Sequence, residues 1–222
     1  MRAGVRGLVE GMPHDLDWND CSIALIDVET TGRDPNQDRV IEVGIAVGRG
    51  GSVIARYNWM IQPEMKIHEE AIAVHGIKDE DLKDSPIFAA VAHEIAQALE
   101  GCIPAAYNAG FDRSFLQSEF TRTGEKRFLT GALASGIEWI DPLVWARELQ
   151  REEKSRALGD VAERLGVKLE NAHRASEDAE AALLVLYKLA QDVRVPKAYG
   201  ALIQEQRRLA FAQADERRFW RT

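Results

Sequence analysis

Cysteine is nearly absent from this sequence: Cys21 and Cys102 are the only two in 222 residues. They have no Cys-x-x-Cys spacing, so they form no recognisable metal site, and two lone cysteines fit a reducing compartment. Both read as small buried apolar residues. Long apolar runs are also missing. No stretch approaches the ~18 residues needed to span a membrane. The first twenty residues carry Asp15, Asp17, Asn19 and Asp20 and none of the continuous apolar run of a signal peptide. The expectation is a cytoplasmic protein with no membrane partner. Positive charge is in deficit, at a formal net charge of −8. Alone, that argues against a general nucleic-acid binder, because phosphate contacts need Lys and Arg. It leaves open an enzyme that meets nucleic acid through carboxylates, since bound divalent cations reverse the local sign. No repeat or low-complexity tract is present.

Apolar residues make up 45% of the chain and charged residues 29%. That is enough for a sizeable core in one large domain, or in one domain with short additions. The pattern divides the chain into a loosely packed arm over 1–20, a main domain over 21–192 and a helical extension over 193–222. Ile23-Ala24-Leu25-Ile26 is a short apolar run of the kind a strand buried on both faces shows. Arg39 to Val47 alternates through Ile41, Val43, Ile45 and Val47, and Ser52 to Ile61 follows a tight Gly50-Gly51 turn, so these strands are antiparallel neighbours. A helix is predicted over 87–99, a strand over 103–107, a helix over 111–121 and a short fifth strand over 137–140. Further helices follow at about 142–151, 155–165 and 175–191, with another in the tail. Strands first, then strands alternating with helices, give an α/β fold with a central mixed β-sheet flanked by α-helices.

The informative residues are acids in places where acids are expensive. Asp27 and Glu29 follow the apolar run and, two apart on a strand, share a face. Left alone there they repel, and a cation relieves that. The competing reading is an exposed strand end running into the turn Thr30-Thr31-Gly32. Asp112 opens a helix and lies on its apolar stripe with Phe115, Leu116 and Phe120. A favourable acid at the positive end of a helix dipole explains it equally well. Asp178 falls on a stripe with Ala175, Ala182, Leu186 and Leu189, where an unpaired charge costs several kcal/mol. His173 stands five residues earlier, about 140° around a helix, so it belongs to the loop before that helix. Four carboxylates with no Cys/His cluster suit Mg²⁺ or Mn²⁺ rather than zinc. With a base beside them they point to phosphoryl transfer by in-line displacement.

Three segments then carry a specific resemblance. Asp27-Val28-Glu29-Thr30-Thr31-Gly32, Asn108-Ala109-Gly110-Phe111-Asp112 and His173-Arg174-Ala175-Ser176-Glu177-Asp178 resemble, in order, the three motifs of the DEDDh (DnaQ-like) 3′–5′ exonucleases. Val74-His75-Gly76-Ile77 resembles an intermotif segment of the branch that holds the proofreading subunit of bacterial replicative polymerase. The resemblance spans about residues 22 to 190. It implies a ribonuclease H-like fold and two divalent ions, Mg²⁺ or Mn²⁺. It further implies that Asp27, Glu29 and Asp178 hold the first ion, that Asp27 bridges to the second with support from Asp112, and that His173 is the general base. Thr30, Thr31, His75 and Phe111 fall at positions of nucleotide contact. Asn108 orders the turn before Asp112. Tyr107 stands where relatives often have His and reads as the end of a buried strand. Glu42 reads as structural, and Asp141 as a helix cap.

The resemblance implies release of nucleoside 5′-monophosphates from single-stranded DNA 3′ ends, in replication or repair. Trimming of RNA 3′ ends is the alternative, decided by how a pocket treats the 2′-OH. Arg113, Arg122, Lys126 and Arg127 could steer the strand or be surface charge. Gln206, Leu209 and Phe211 in the tail are spaced loosely like a clamp-binding peptide, which would give a polymerase or clamp partner. The plainer reading is a helix packed on the domain.

Overall fold

The computed structural model describes residues 5–169 and 174–219. Strand β1 (Ile23–Thr30) sits inside a four-stranded sheet of order β3-β2-β1-β4. Strands β2 (Val40–Arg49) and β3 (Ser52–Met60) form an antiparallel hairpin, and β2 is antiparallel to β1. The hairpin turns at Gly50 and Gly51 with φ of 59° and 83°, values that a side chain resists. Strand β4 (Ile103–Ala105) runs parallel to β1 and ends opposite Leu25.

Alternation along β1 decides what faces what. Ala24, Ile26 and Val28 pack on one side, with helix α3 (Phe88–Ala98) and helix α4 (Gly110–Arg122). Ile23 and Leu25 pack on the other, with α5 (Pro142–Leu149), α6 (Leu158–Arg164), α7 (Ala175–Leu189) and α8 (Tyr199–Phe219). Asp27 and Glu29 continue the parity of Ile23 and Leu25, so both acids emerge on the α7 side. On β2 the matching face is Glu42, Gly44 and Ala46. Helix α7 crosses it so closely that a Cβ on Gly44 would lie 2.1 Å from the Ala175 carbonyl carbon and 2.2 Å from the Ser176 nitrogen. Of two short helices, α1 (Glu69–His75) brings His75 to the Thr30 end of β1, and α2 (Asp79–Leu82) packs Leu82 with Ile41 of β2.

Two sequence expectations change. The fifth strand over 137–140 reduces to a single bridge between Ile140 and Ala105. Asp141 already caps α5, which begins at Pro142, so the pairing has no length over which to grow. The segment read as a loose arm is held down in its described part. Trp18 is buried, its Nε1 donates to the Pro196 carbonyl, and the Tyr199 and Gly200 amides donate to Leu16 and His14. A large aromatic body with one donor gains from packing wherever that donor finds a partner, and the segment leading into α8 supplies it. Among the described residues, no helix is long and apolar enough to cross a membrane.

Candidate active site

Asp27 and Glu29 from β1 meet Asp178 from the first turn of α7. One carboxylate oxygen from each lies within 4.8 Å of the others, and all three side chains are half-buried. The Asp178 amide donates to the Arg174 carbonyl at 3.0 Å, so the position of this acid is set by how α7 starts. Asp112 approaches from α4 and is almost wholly buried. Its Oδ1 accepts from the Val28 amide at 3.1 Å. That amide lies beyond the end of β4, where the edge of β1 has no strand to pair with, and a buried amide needs a partner. Asp112 thus supports the strand that carries Asp27 and Glu29, and it lines the same cavity of about 460 Å³ with them and Asp178.

Electrostatics turn this grouping into a demand for cations. Burial first, and then the charges of Asp112, Glu29, Asp178 and Glu42, push the Asp27 carboxyl well above the usual range. Burial, then Glu42, Asp178 and Asp112, raises Glu29 to about 8, with Arg174 pulling the other way. Burial raises Asp112 to about 8 against the hydrogen bonds from its own amide and that of Val28. Carboxylates that resist losing their protons here are those that a bound cation would ionise.

The turn before α4 is built by contacts that the sequence conceals. Asn108 adopts φ of 75°, a conformation asparagine tolerates better than most residues. Asp141 does more than cap α5 through the Leu143 amide at 2.9 Å: its two oxygens also accept from the Asn108 and Ala109 amides at 3.0 and 3.1 Å. Farther along α4, buried Glu119 takes the Arg39 guanidinium through both oxygens at 2.8 and 3.0 Å, tying the helix to the residue before β2. Tyr107, read as the end of a buried strand, lies two residues past the end of β4. It is half-buried, lines the acidic cavity and donates its hydroxyl to the Arg156 carbonyl at 2.6 Å.

A second cavity, of about 710 Å³, shares Val28, Glu29 and Phe111 with the first. Thr30, His75 and Phe111 line it together, with Arg33 and His68 also on its wall. His75 Nδ1 accepts from the Ile77 amide at 3.0 Å, which leaves the ring proton on Nε2, 3.3 Å from the Thr30 carbonyl. Thr31 does not join this group. It is wholly buried, and its hydroxyl lies between the Arg39 amide and Asp38, so it orders the loop after β1 and is absent from the cavity wall.

His173 lies outside the described residues. Glu42, read from the sequence as structural, is fully buried, pairs in register with Glu29 and binds Arg174 at 3.0 Å, close to the site. The signal was available, because an acid on the face otherwise made of Gly44, Ala46 and Gly48 is the same anomaly as Asp27. Three of the four basic residues singled out in the sequence are engaged locally. Arg113 donates to the Ile137 carbonyl, Arg122 pairs with Glu119, and Arg127 pairs with Glu125 and lies over the Phe128 ring. In α8, Gln206 and Leu209 are buried, with Gln206 bridging the Trp139 carbonyl and the Asp141 amide, whereas Phe211 is exposed.

The sequence and the fold have counterparts among known proteins. A family described as Exonuclease (RNase_T) matches residues 24–186. The 3′-5′ exonuclease DinG of Staphylococcus saprophyticus is 32% identical over 156 residues, covering 70% of this chain and 17% of that protein. The DNA polymerase III PolC-type of Thermotoga maritima is 30% identical over 191 residues, covering 84% of this chain and 13% of its own. The chain therefore spans about a sixth or less of these relatives' length. Among solved structures, an Exonuclease I–single-stranded DNA complex from E. coli aligns with a TM-score of 0.69 at 21% identity, over 83% of this chain and 43% of that one. Exonuclease X with 5′ overhanging duplex DNA aligns with a TM-score of 0.61 at 18% identity, over 81% of this chain and 98% of that one. These two establish the shared ribonuclease H-like fold, and the sequence match over most of the chain goes further: this protein belongs to the RNase_T exonuclease family, the DnaQ-like 3′–5′ exonucleases.

Proposed function

We propose that the chain is a metal-dependent 3′–5′ exonuclease that removes nucleoside 5′-monophosphates from single-stranded DNA. The observation that carries this reading is the convergence of Asp27, Glu29 and Asp178, with oxygens within 4.8 Å of one another, beside a second cavity reached past Phe111. An oxygen-only set suits Mg²⁺ or Mn²⁺. The raised pKa values of Asp27, Glu29 and Asp112 fit a site completed by positive charge. Two such ions, when bound, stabilise the charge on the scissile phosphate and the leaving oxygen. Asp27, Glu29 and Asp178 would hold them, and Asp112, with one oxygen committed to Val28, offers the other.

Thr30, His75 and Phe111 take the terminal nucleotide, with the Phe111 ring as a stacking face between the two cavities. His173 accepts the proton of the attacking water as the new P–O bond forms. The P–O3′ bond breaks and the leaving oxygen takes a proton from solvent, giving a 3′ hydroxyl on the shortened strand and a 5′-monophosphate as product. The preference for DNA rests on the DNA polymerase named among the relatives and on the single-stranded DNA in the Exonuclease I complex. A partner on α8 would have to use Phe211, since Gln206 and Leu209 are committed to the fold.

The test uses matched DNA and RNA oligonucleotides labelled at the 5′ end, with Mn²⁺ or Mg²⁺ and a chelator control. The expected result is a metal-dependent ladder shortening from the 3′ end, faster on DNA. A faster RNA ladder moves the assignment to RNA trimming, and no ladder from folded, metal-loaded protein ends it.

Metal binding is expected to release protons. Glu29 and Asp112, raised to about 8, are largely protonated at pH 7 and ionise when they bind a cation. Apparent Mn²⁺ affinity should therefore climb between pH 6 and about 8 and level off above it. Calorimetry in two buffers of different ionisation enthalpy reads the proton count, and a count of zero at pH 7 contradicts the account.

A further inference from the structure

We propose that Glu42 and Arg174 form a positioning pair that seats the first turn of α7 on β2 and so aims Asp178 at the reacting phosphate. This rests on the exonuclease reading above. Glu42 has no exposed surface, and its Oε1 accepts from an Arg174 terminal nitrogen at 3.0 Å. The other carboxylate oxygen is buried with no hydrogen-bond partner. A buried acid directly across the ladder from Glu29 is the costliest choice for this position if packing alone were at stake. Glutamine would fill the same volume and still accept from Arg174. Only the carboxylate adds an opposite charge to that contact, turning a hydrogen bond from the always-charged guanidinium into an ion pair.

What the pair holds is decided by the backbone. Arg174 is the cap residue of α7, with φ −118° and ψ 117°. Its carbonyl accepts from the Glu177 and Asp178 amides at 2.9 and 3.0 Å. Pulling the Arg174 side chain toward Glu42 thus fixes the residue from which the Asp178 turn hangs. Two residues along β2, Gly44 lets the same turn lie directly on the strand. The Arg174 side chain is about half exposed, so it is not itself a core residue. The pair acts through Asp178 and touches no substrate.

The experiment compares wild type with Glu42→Gln, Arg174→Met, Arg174→Lys and the double variant E42Q/R174M. It measures kcat and KM on 5′-labelled single-stranded DNA, the Mn²⁺ dissociation constant and Tm. Misplacing catalytic groups by a fraction of an ångström is expected to lower kcat by about 10- to 100-fold in E42Q and R174M, with KM within about 3-fold of wild type. The double variant should be no slower than R174M, and R174K should recover part of the loss. Wild-type kcat in both single variants overturns the proposal. So does a raised KM with kcat intact, which would make Arg174 a substrate contact. So does a loss that disappears when activity is read well below each variant's Tm. Absence of cleavage by the wild type fails the exonuclease reading instead, and the two failures cannot be confused.

Discussion

Asp27→Asn is expected to do two things at once: abolish cleavage and make the metal-free protein more stable at pH 8. Asp27 is the acid around which the others gather, flanked by Glu29 on its own strand, Asp178 from α7 and Asp112 from α4. Asparagine preserves the shape but removes the negative charge, leaving one neutral carbonyl oxygen, and lowers the affinity of the site for cations. Losing that charge stabilisation is worth several kcal/mol, so the rate should fall by about 10³-fold or more. Stability moves the other way because burial disfavours the charged form of these acids, and their mutual repulsion adds to it. Glu29 and Asp112 hold their protons to about 8 in the folded chain, but only to about 4 when unfolded. Between those limits the folded state binds more protons, so these two groups subtract stability as pH rises from about 4 to about 8, and the loss is complete above that. The Asp27 carboxyl is pushed up in the same way, by burial first and then by its acidic neighbours, so a neutral asparagine removes the share of that loss that Asp27 contributes. The metal-free variant should melt above the metal-free wild type at pH 8 by about 2–4 °C, and less so at pH 5. Adding Mn²⁺ should raise Tm in the wild type and hardly at all in the variant. A variant that cleaves at the wild-type rate removes Asp27 from the site. A variant that is inactive and melts lower without metal refutes this account of stability.

The second large effect is expected at a residue that carries no chemistry. Gly44 faces Asp27 across the β1–β2 ladder, and α7 lies on it. A methyl group there would sit 2.1–2.3 Å from the Ala175 carbonyl and the Ser176 nitrogen. All of these are backbone atoms, so no side-chain rotation clears the space, and the first turn of α7 must lift from the sheet. Asp178 rides on that turn. Overpacking of this kind costs about 1–3 kcal/mol of stability, and an ångström of displacement at a reacting group costs about 100-fold in rate. Gly44→Ala should therefore cleave about 100-fold more slowly while remaining folded, with weakened Mn²⁺ binding as the sign that Asp178 has moved. Unchanged activity and metal affinity would show that α7 accommodates the methyl group, and that the close approach is incidental.

Much of the fold was legible in the sequence because periodicity reports burial directly. The continuous apolar run of β1, the alternation on β2 and the Gly50-Gly51 turn each predict an element that forms, within a residue or two. The fifth strand was misread because a short apolar stretch does not reveal that a proline-started helix takes the chain away at once. At the site, Asp27, Glu29, Asp112 and Asp178 stood out because each is an acid on an apolar face, and desolvation makes that anomaly visible in one dimension. Glu42 carries the same anomaly on β2, yet its role depends on Arg174, 132 residues away.

By itself, then, the sequence determined the family, the order of the main elements and which acids face inward, since each is a property of local spacing and residue type. Only the tertiary structure decided the rest. It turned Thr31 into the loop while Thr30 met His75 and Phe111, spread the two oxygens of Asp141 over the turn before α4, and placed α7 against a glycine. Those outcomes depend on distances between residues far apart in the chain, and no local pattern encodes a distance.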